Sequence, residues 1–211
     1  MPSPFSAVLL AGGKSTRMGT DKAFVEVEGQ PLWQRQLRML QELHPHELFI
    51  SAPARDEWSD QGYLIIPDAQ KNSGPLAGVV SALRRTSTPL LLALAVDLPC
   101  MTSDYLRHLL TFCSATRGLV PRDEPLVAVY PKSATAFAES CLASGRYAMR
   151  NFAAGCVADG LAVETEIAPA DERLFLNMNT LEDLASVAAV YDRRIRDPQC
   201  PNAAVTDHRY R

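Results

Sequence analysis

Ser6-Ala7-Val8-Leu9-Leu10 passes without interruption into Ala11-Gly12-Gly13-Lys14-Ser15-Thr16-Arg17-Met18-Gly19-Thr20-Asp21-Lys22. A short apolar run ending in glycines reads as a buried strand that opens, at its carboxyl end, into a ligand loop. Two adjacent glycines let a backbone approach a ligand with no Cβ in the way, and successive amide N–H groups in such a turn form a nest for anions. Lys14, Arg17 and Lys22 add positive side chains, and Ser15 and Thr16 add hydroxyl donors. Together these features predict a polyphosphate cradle. Two common phosphate loops are excluded. A Walker A loop needs glycine where this chain has Val8, and Gly12-Gly13 followed by Gly19 does not spell G-x-G-x-x-G. Taken alone, the loop can also be read as a solvated turn with incidental basic residues.

Outward from this stretch, short apolar runs alternate with helical patterns. Strands are expected at Ser6–Leu10, Leu48–Ala52, Leu64–Ile66, Leu90–Val96, Leu119–Val120, Leu126–Tyr130 and Leu174–Leu176. Leu76, Val79, Val80 and Leu83 have helical spacing, as do Leu181, Leu184, Ala185 and Ala188. Pro31 is expected at the first position of a helix carrying Trp33, Leu37 and Leu40. Thr180 with Asp183 resembles a capping pair. The alternation predicts an α/β fold, a mostly parallel sheet covered by helices on both faces. With 211 residues and no linker, one domain over 1–191 is expected, followed by a polar tail over 192–211.

The composition narrows the function. Lys plus Arg is 21 and Asp plus Glu is 24, a net charge of −3, which gives no general footing on a nucleic-acid backbone. The five cysteines are scattered, with no C-x-x-C pair, and read as free thiols in a reducing compartment. No apolar stretch is long enough to span a bilayer, and the first residues lack the basic region of a signal peptide. No nucleic acid, no membrane and a cytoplasmic location are therefore expected.

Several polar residues stand at the ends of apolar runs. Asp97 directly follows the most hydrophobic strand, where a carboxylate is costly without a partner and lies at the ligand crevice. It also reads as a cap for the helix starting near Ser103. Asp68, just past Leu64–Ile66, presents a carboxylate acceptor at a strand end, with Gly74 and Gly78 leaving backbone groups accessible beside it; it also reads as a surface Asp beside a Gly-Pro helix start. Arg146 and Arg150 fall four apart, on one face if the segment is helical. If Leu174–Leu176 continues as a strand, Asn177 and Asn179 point the same way. Solvated helix faces and ordinary turn chemistry remain as readings of the last four.

L-A-G-G-x-S-x-R-M-G-x-D-K, over Leu10–Lys22, resembles the signature loop of nucleotidyltransferases built on a Rossmann-like sheet, and in this spelling the molybdenum cofactor guanylyltransferases. Ile66-Pro67-Asp68 with Gly74-Pro75-Leu76-Ala77-Gly78, Ala95-Val96-Asp97-Leu98-Pro99 and Asn177-Met178-Asn179-Thr180 extend the resemblance to about Tyr191. Val96 stands where the family has cysteine, and Ser51 where it often has asparagine. The resemblance implies nucleotide contacts from Leu10, Ala11, Gly12, Gly13, Lys22, Ser51, Asp68, Gly74, Gly78 and Asp97. It further implies Mg²⁺ on Asp97, Lys22 at the α-phosphate, and Arg17 with the Gly12–Gly13 amides on the leaving pyrophosphate. Arg146, Arg150, Asn177 and Asn179 would hold the acceptor. The implied reaction is transfer of GMP from GTP to the terminal phosphate of molybdenum-molybdopterin, with transient handover to other proteins of the cofactor pathway or to target enzymes. A relative using CTP, on a pterin or a sugar phosphate, and a catalytically silent nucleotide-binding module stay open as alternatives.

Overall fold

The computed structural model describes residues 3–12, 22–27, 29–53, 63–70, 73–178 and 183. Strands β1 (Phe5–Leu10), β4 (Leu48–Ser51), β5 (Leu64–Ile66), β6 (Leu90–Ala95), β7 (Gly118–Pro121), β8 (Val127–Pro131) and β9 (Ala162–Thr165) form one sheet. Their order is β5-β4-β1-β6-β8-β7-β9. Every pairing is parallel except the two made by β8, which runs against β6 and β7. A small antiparallel pair, β2 (Glu26–Val27) with β3 (Gln30–Pro31), stands apart from it.

Alternation along β1 sends successive side chains to opposite faces. Ala7 and Leu9 join a core with α1 (Leu32–Gln41) and α3 (Ser103–Thr111). Val8 and Leu10 join a second core with α2 (Pro75–Arg85), α4 (Thr135–Ala143) and α5 (Met149–Ala158). The sheet is thus covered on both faces, as the unbroken apolar runs imply.

Two expectations need correction. Leu174–Leu176 is not a strand: Glu172–Phe175 is a 3₁₀ turn, closed by the Leu174 N–H on the Asp171 carbonyl at 2.8 Å. Leu174 and Phe175 are both buried, as neighbours in such a turn can be, and Phe175 meets Tyr105 edge-on with ring centroids 5.3 Å apart. The seventh strand is instead β9, a half-buried sheet edge whose sequence Ala-Val-Glu-Thr carries no apolar run. Pro31 precedes α1 as its N-cap and ends β3, so the helix starts one residue later than expected. The expected helix around Leu181–Ala188, the Thr180 cap and the tail over 192–211 fall outside the described residues, apart from Asp183. Among the described residues, no helix is long and apolar enough to cross a membrane.

At the amino-terminal end of the sheet, Glu47 links three segments. Its Oε2 accepts from Ser6 Oγ at 2.6 Å and from the Ser87 N–H at 2.8 Å, with the Thr86 hydroxyl at 3.2 Å. Burial pushes the carboxyl up, but these hydrogen bonds outweigh it and hold Glu47 below the usual carboxylate range. A lowered folded value means that the contribution to stability is complete above the unfolded value and fades as pH falls through the folded one. Glu47→Gln is expected to cost about 1 kcal/mol near neutral pH, the modest end for bonds to a partly solvated charge. Urea denaturation should find the gap between variant and parent closing in acid, below the ordinary glutamate range.

Candidate active site

The strand order reverses beside β1, whose neighbours are β4 and β6. A crevice at the carboxyl ends is expected at such a reversal. The chain pulls its floor together there. The Ala11 N–H donates to the Ser51 carbonyl at 3.0 Å, and the Val96 N–H to the Leu10 carbonyl at 3.2 Å. Leu10 and Ala11 are buried at the end of β1, and Gly12 is exposed above them.

On the β6 side, Lys22 opens a short 3₁₀ helix, and its Nζ lies 3.2 Å from Asp97 Oδ2. Both side chains remain partly open, at 21% and 24% exposure. The Asp97 carbonyl accepts from the Met178 N–H at 2.9 Å, which anchors the segment after the 3₁₀ turn. With its amide nitrogen facing the acceptors, Asn177 donates to both Asp97 carboxylate oxygens at 3.0 Å. Asp97 does not cap the next helix; Thr102 does, accepting from the Tyr105 N–H. The carboxylate is therefore available to the crevice.

On the β4–β5 side, Ser51 Oγ donates to Asp68 Oδ1 at 2.6 Å. Asp68 is exposed and Ser51 is buried. Gly74 caps α2 with φ +65° and ψ −165°, a region essentially closed to side chains. Gly78 permits close packing of α2: a Cβ there would fall 2.4 Å from Ser51 Oγ and 3.0 Å from Leu10 Cδ2.

The 145–150 segment reaches this rim, since Gln70 Nε2 donates to Tyr147 Oη at 2.9 Å. Arg146 and Arg150 do not share a helix face, because α5 begins only at Met149. Arg146 Nε donates to Ser144 within its own loop, and Arg150 lies 3.7 Å from Asp123. Asn177 follows a 3₁₀ turn and owes its position to the Met178–Asp97 bond rather than to strand alternation. Gly13, Arg17 and Asn179 lie outside the described residues.

Glu124, Gln70 and Tyr147 carry no signature in the sequence. Glu124 sits in the turn between β7 and β8; burial raises its carboxyl above the usual range, against the pull of Arg150 and with added push from Asp123 and Asp97. An acidic pair beside a hairpin turn was the one available signal, and turns carry such pairs for ordinary reasons. Among the described residues, no three His, Cys, Asp or Glu side chains cluster as a self-sufficient metal site. A cation at Asp97 would need oxygen donors from its ligands and from water.

Lys22 and Asp97 thus stand paired at 3.2 Å beside the carboxyl ends of β1 and β6. The model of the MobA-like NTP transferase domain matches residues 7–158. The chain belongs to the MobA-like NTP transferase family. The match runs from β1 to the end of α5 and includes Lys22, Ser51, Asp68 and Asp97, leaving β9 and Asn177 beyond it. A probable molybdenum cofactor guanylyltransferase of Opitutus terrae is 36% identical over 162 residues, covering 74% of this chain and 80% of that one. A molybdenum cofactor guanylyltransferase of Rhizobium rhizogenes is 31% identical over 199 residues, covering 87% and 90%. The crystal structure of molybdopterin-guanine dinucleotide biosynthesis protein A from Archaeoglobus fulgidus superposes with a TM-score of 0.70 at 23% identity, over 89% of this chain and 99% of that one. This likeness supports the mostly parallel, two-faced sheet of the MobA-like fold.

Proposed function

We propose that this chain is a cytoplasmic enzyme that transfers GMP from GTP to the terminal phosphate of molybdenum-molybdopterin, releasing pyrophosphate. The observation that carries the reading is the Lys22–Asp97 pair at 3.2 Å beside the ends of β1 and β6, with the Ser51–Asp68 pair at 2.6 Å beside the ends of β4 and β5. The first suits a polyphosphate and its cation, the second a base with hydrogen-bond donors on its edge. An acceptor phosphate oxygen attacks the α-phosphorus in line, and the bond from that phosphorus to the bridging oxygen of pyrophosphate breaks. The acceptor is anionic near neutral pH, so no general base is required. Lys22 stabilises the charge that grows at the α-phosphate, and Arg17 with the Gly12–Gly13 amides holds the leaving group.

Asp97 fits Mg²⁺, a hard cation that takes one or two carboxylates and completes its shell with phosphates and water. Its oxygens are partly exposed at the crevice, and the Asn177 amide, turned over, would present a further oxygen beside them. When bound, the metal ion would neutralise phosphate charge and align the α-phosphorus. Arg146, Arg150, Asn177 and Asn179 are assigned to the acceptor side. Handover of the product to other cofactor-pathway proteins or to target enzymes completes the reading.

The test is nucleotide choice. With acceptor and Mg²⁺ present, pyrophosphate release should be strong with GTP and weak with CTP; a preference for CTP would overturn the guanylyl reading. Asp68→Ala should weaken GTP more than ITP, which lacks the exocyclic amine, by about 1.5–3 kcal/mol, the scale for hydrogen bonds to a charged group. Equal weakening of the two would move Asp68 to the ribose or to a structural role.

A further inference from the structure

Ser51 is the one buried polar side chain among the described residues assigned to the nucleotide. It is 2% exposed, and a Cβ on Gly78 would fall 2.4 Å from its Oγ, so α2 closes directly over the side chain. Its hydroxyl has one proton, and that proton is given to Asp68 Oδ1 at 2.6 Å. Nothing remains to donate to a base or a ribose. The other Asp68 oxygen, Oδ2, lies beside the end of β1, 3.6 Å from where a Cβ on Gly12 would stand. The carboxylate is thus held at one oxygen by a buried donor, which narrows its rotation before any ligand arrives.

We infer that Ser51 is a positioning residue for guanine selectivity, acting only through Asp68 and not by touching the nucleotide. The inference rests on the guanylyl reading above. Guanine offers two donors side by side, N1–H and N2–H₂, and a carboxylate meets both only when its plane matches theirs. Hypoxanthine offers one, which a rotating carboxylate can still follow. Releasing Asp68 therefore hurts GTP more than ITP. Gly78 belongs to the same device, since it allows α2 to close over Ser51 and shield the donor end of that bond.

The experiment is a double-mutant cycle on the full chain, reading kcat/KM for GTP and for ITP in Ser51→Ala, Asp68→Ala and the double variant. Ser51→Ala is expected to lower the GTP/ITP ratio roughly tenfold, the loss of one charge-assisted bond, with the larger part in KM. In the Asp68→Ala background, the same change should leave the ratio where it stands. Because the ratio compares two nucleotides on one sample, partial unfolding of a variant does not move it. Equal losses for GTP and ITP, an undiminished ratio, or a Ser51→Ala effect that persists without Asp68 would each overturn the inference alone. A parent chain that does not prefer GTP would overturn the guanylyl reading, and the inference with it.

Discussion

Lys22→Ala is expected to lower kcat for GMP transfer by roughly 10²–10³, about 3–4 kcal/mol, the scale of a lost electrostatic stabiliser. The ammonium stands 3.2 Å from Asp97 on the open side of the β1–β6 crevice, so it meets a phosphate without crossing the core. If its charge is felt most as negative charge grows at the α-phosphorus, its removal hurts the transition state more than the ground state. Binding of GTP should fall much less. Calorimetric titration with GTP and single-turnover transfer, measured on the same variant, separate the two effects. A large loss of affinity with an unchanged chemical step would make Lys22 a binding residue only. That result would favour a silent nucleotide-binding module.

Asp97→Asn should be the next most damaging change, lowering Mg²⁺-dependent turnover by about 10² or more. A neutral amide is a poor ligand for a hard cation, and it removes the partner that Lys22 faces. The Asn177 amide, which can donate to both carboxylate oxygens, would then meet an amide. The fold should survive, because the backbone bonds from Met178 to the Asp97 carbonyl and from Val96 to the Leu10 carbonyl do not involve the side chain. Turnover measured against Mg²⁺ concentration, beside a thermal melt, checks both halves. Near-normal activity at limiting Mg²⁺ would overturn the metal assignment.

The central strands were legible because burial on both faces demands unbroken apolar runs, and β1, β4 and β6 supply them. β9 was not, because an edge strand needs only one buried face, and Ala162-Val163-Glu164-Thr165 looks like any loop between helices. The apolar Leu174-Phe175-Leu176 suggested a strand for the same reason, yet its two buried side chains pack as neighbours in a turn. In the crevice, Asp97 and Asp68 were legible from their place after apolar runs. The partnership of Ser51 with Asp68 was not, since it depends on how β4 and β5 lie in register and on α2 packing over both. Tyr147 meeting Gln70 belongs to the same class: it joins loops that the linear order keeps far apart.

The pairing of β1 with β6 has a consequence for how the crevice comes into being. Phe5 lies opposite Leu90 and Leu10 opposite Ala95, while α1, β4, β5 and α2 all intervene along the chain. Closing so long a loop costs entropy before any contact repays it, whereas β8 meets β7 across a short turn. The hairpin can form early and locally; the floor between Leu10 and Val96 cannot exist until the longest excursion of the chain has returned. Partly folded chains, including nascent ones released only as far as β5, therefore lack the β6 side of the proposed triphosphate site. On the proposed reading, GTP binding would report completed folding of the β1–β6 half and would draw late-folding chains toward it.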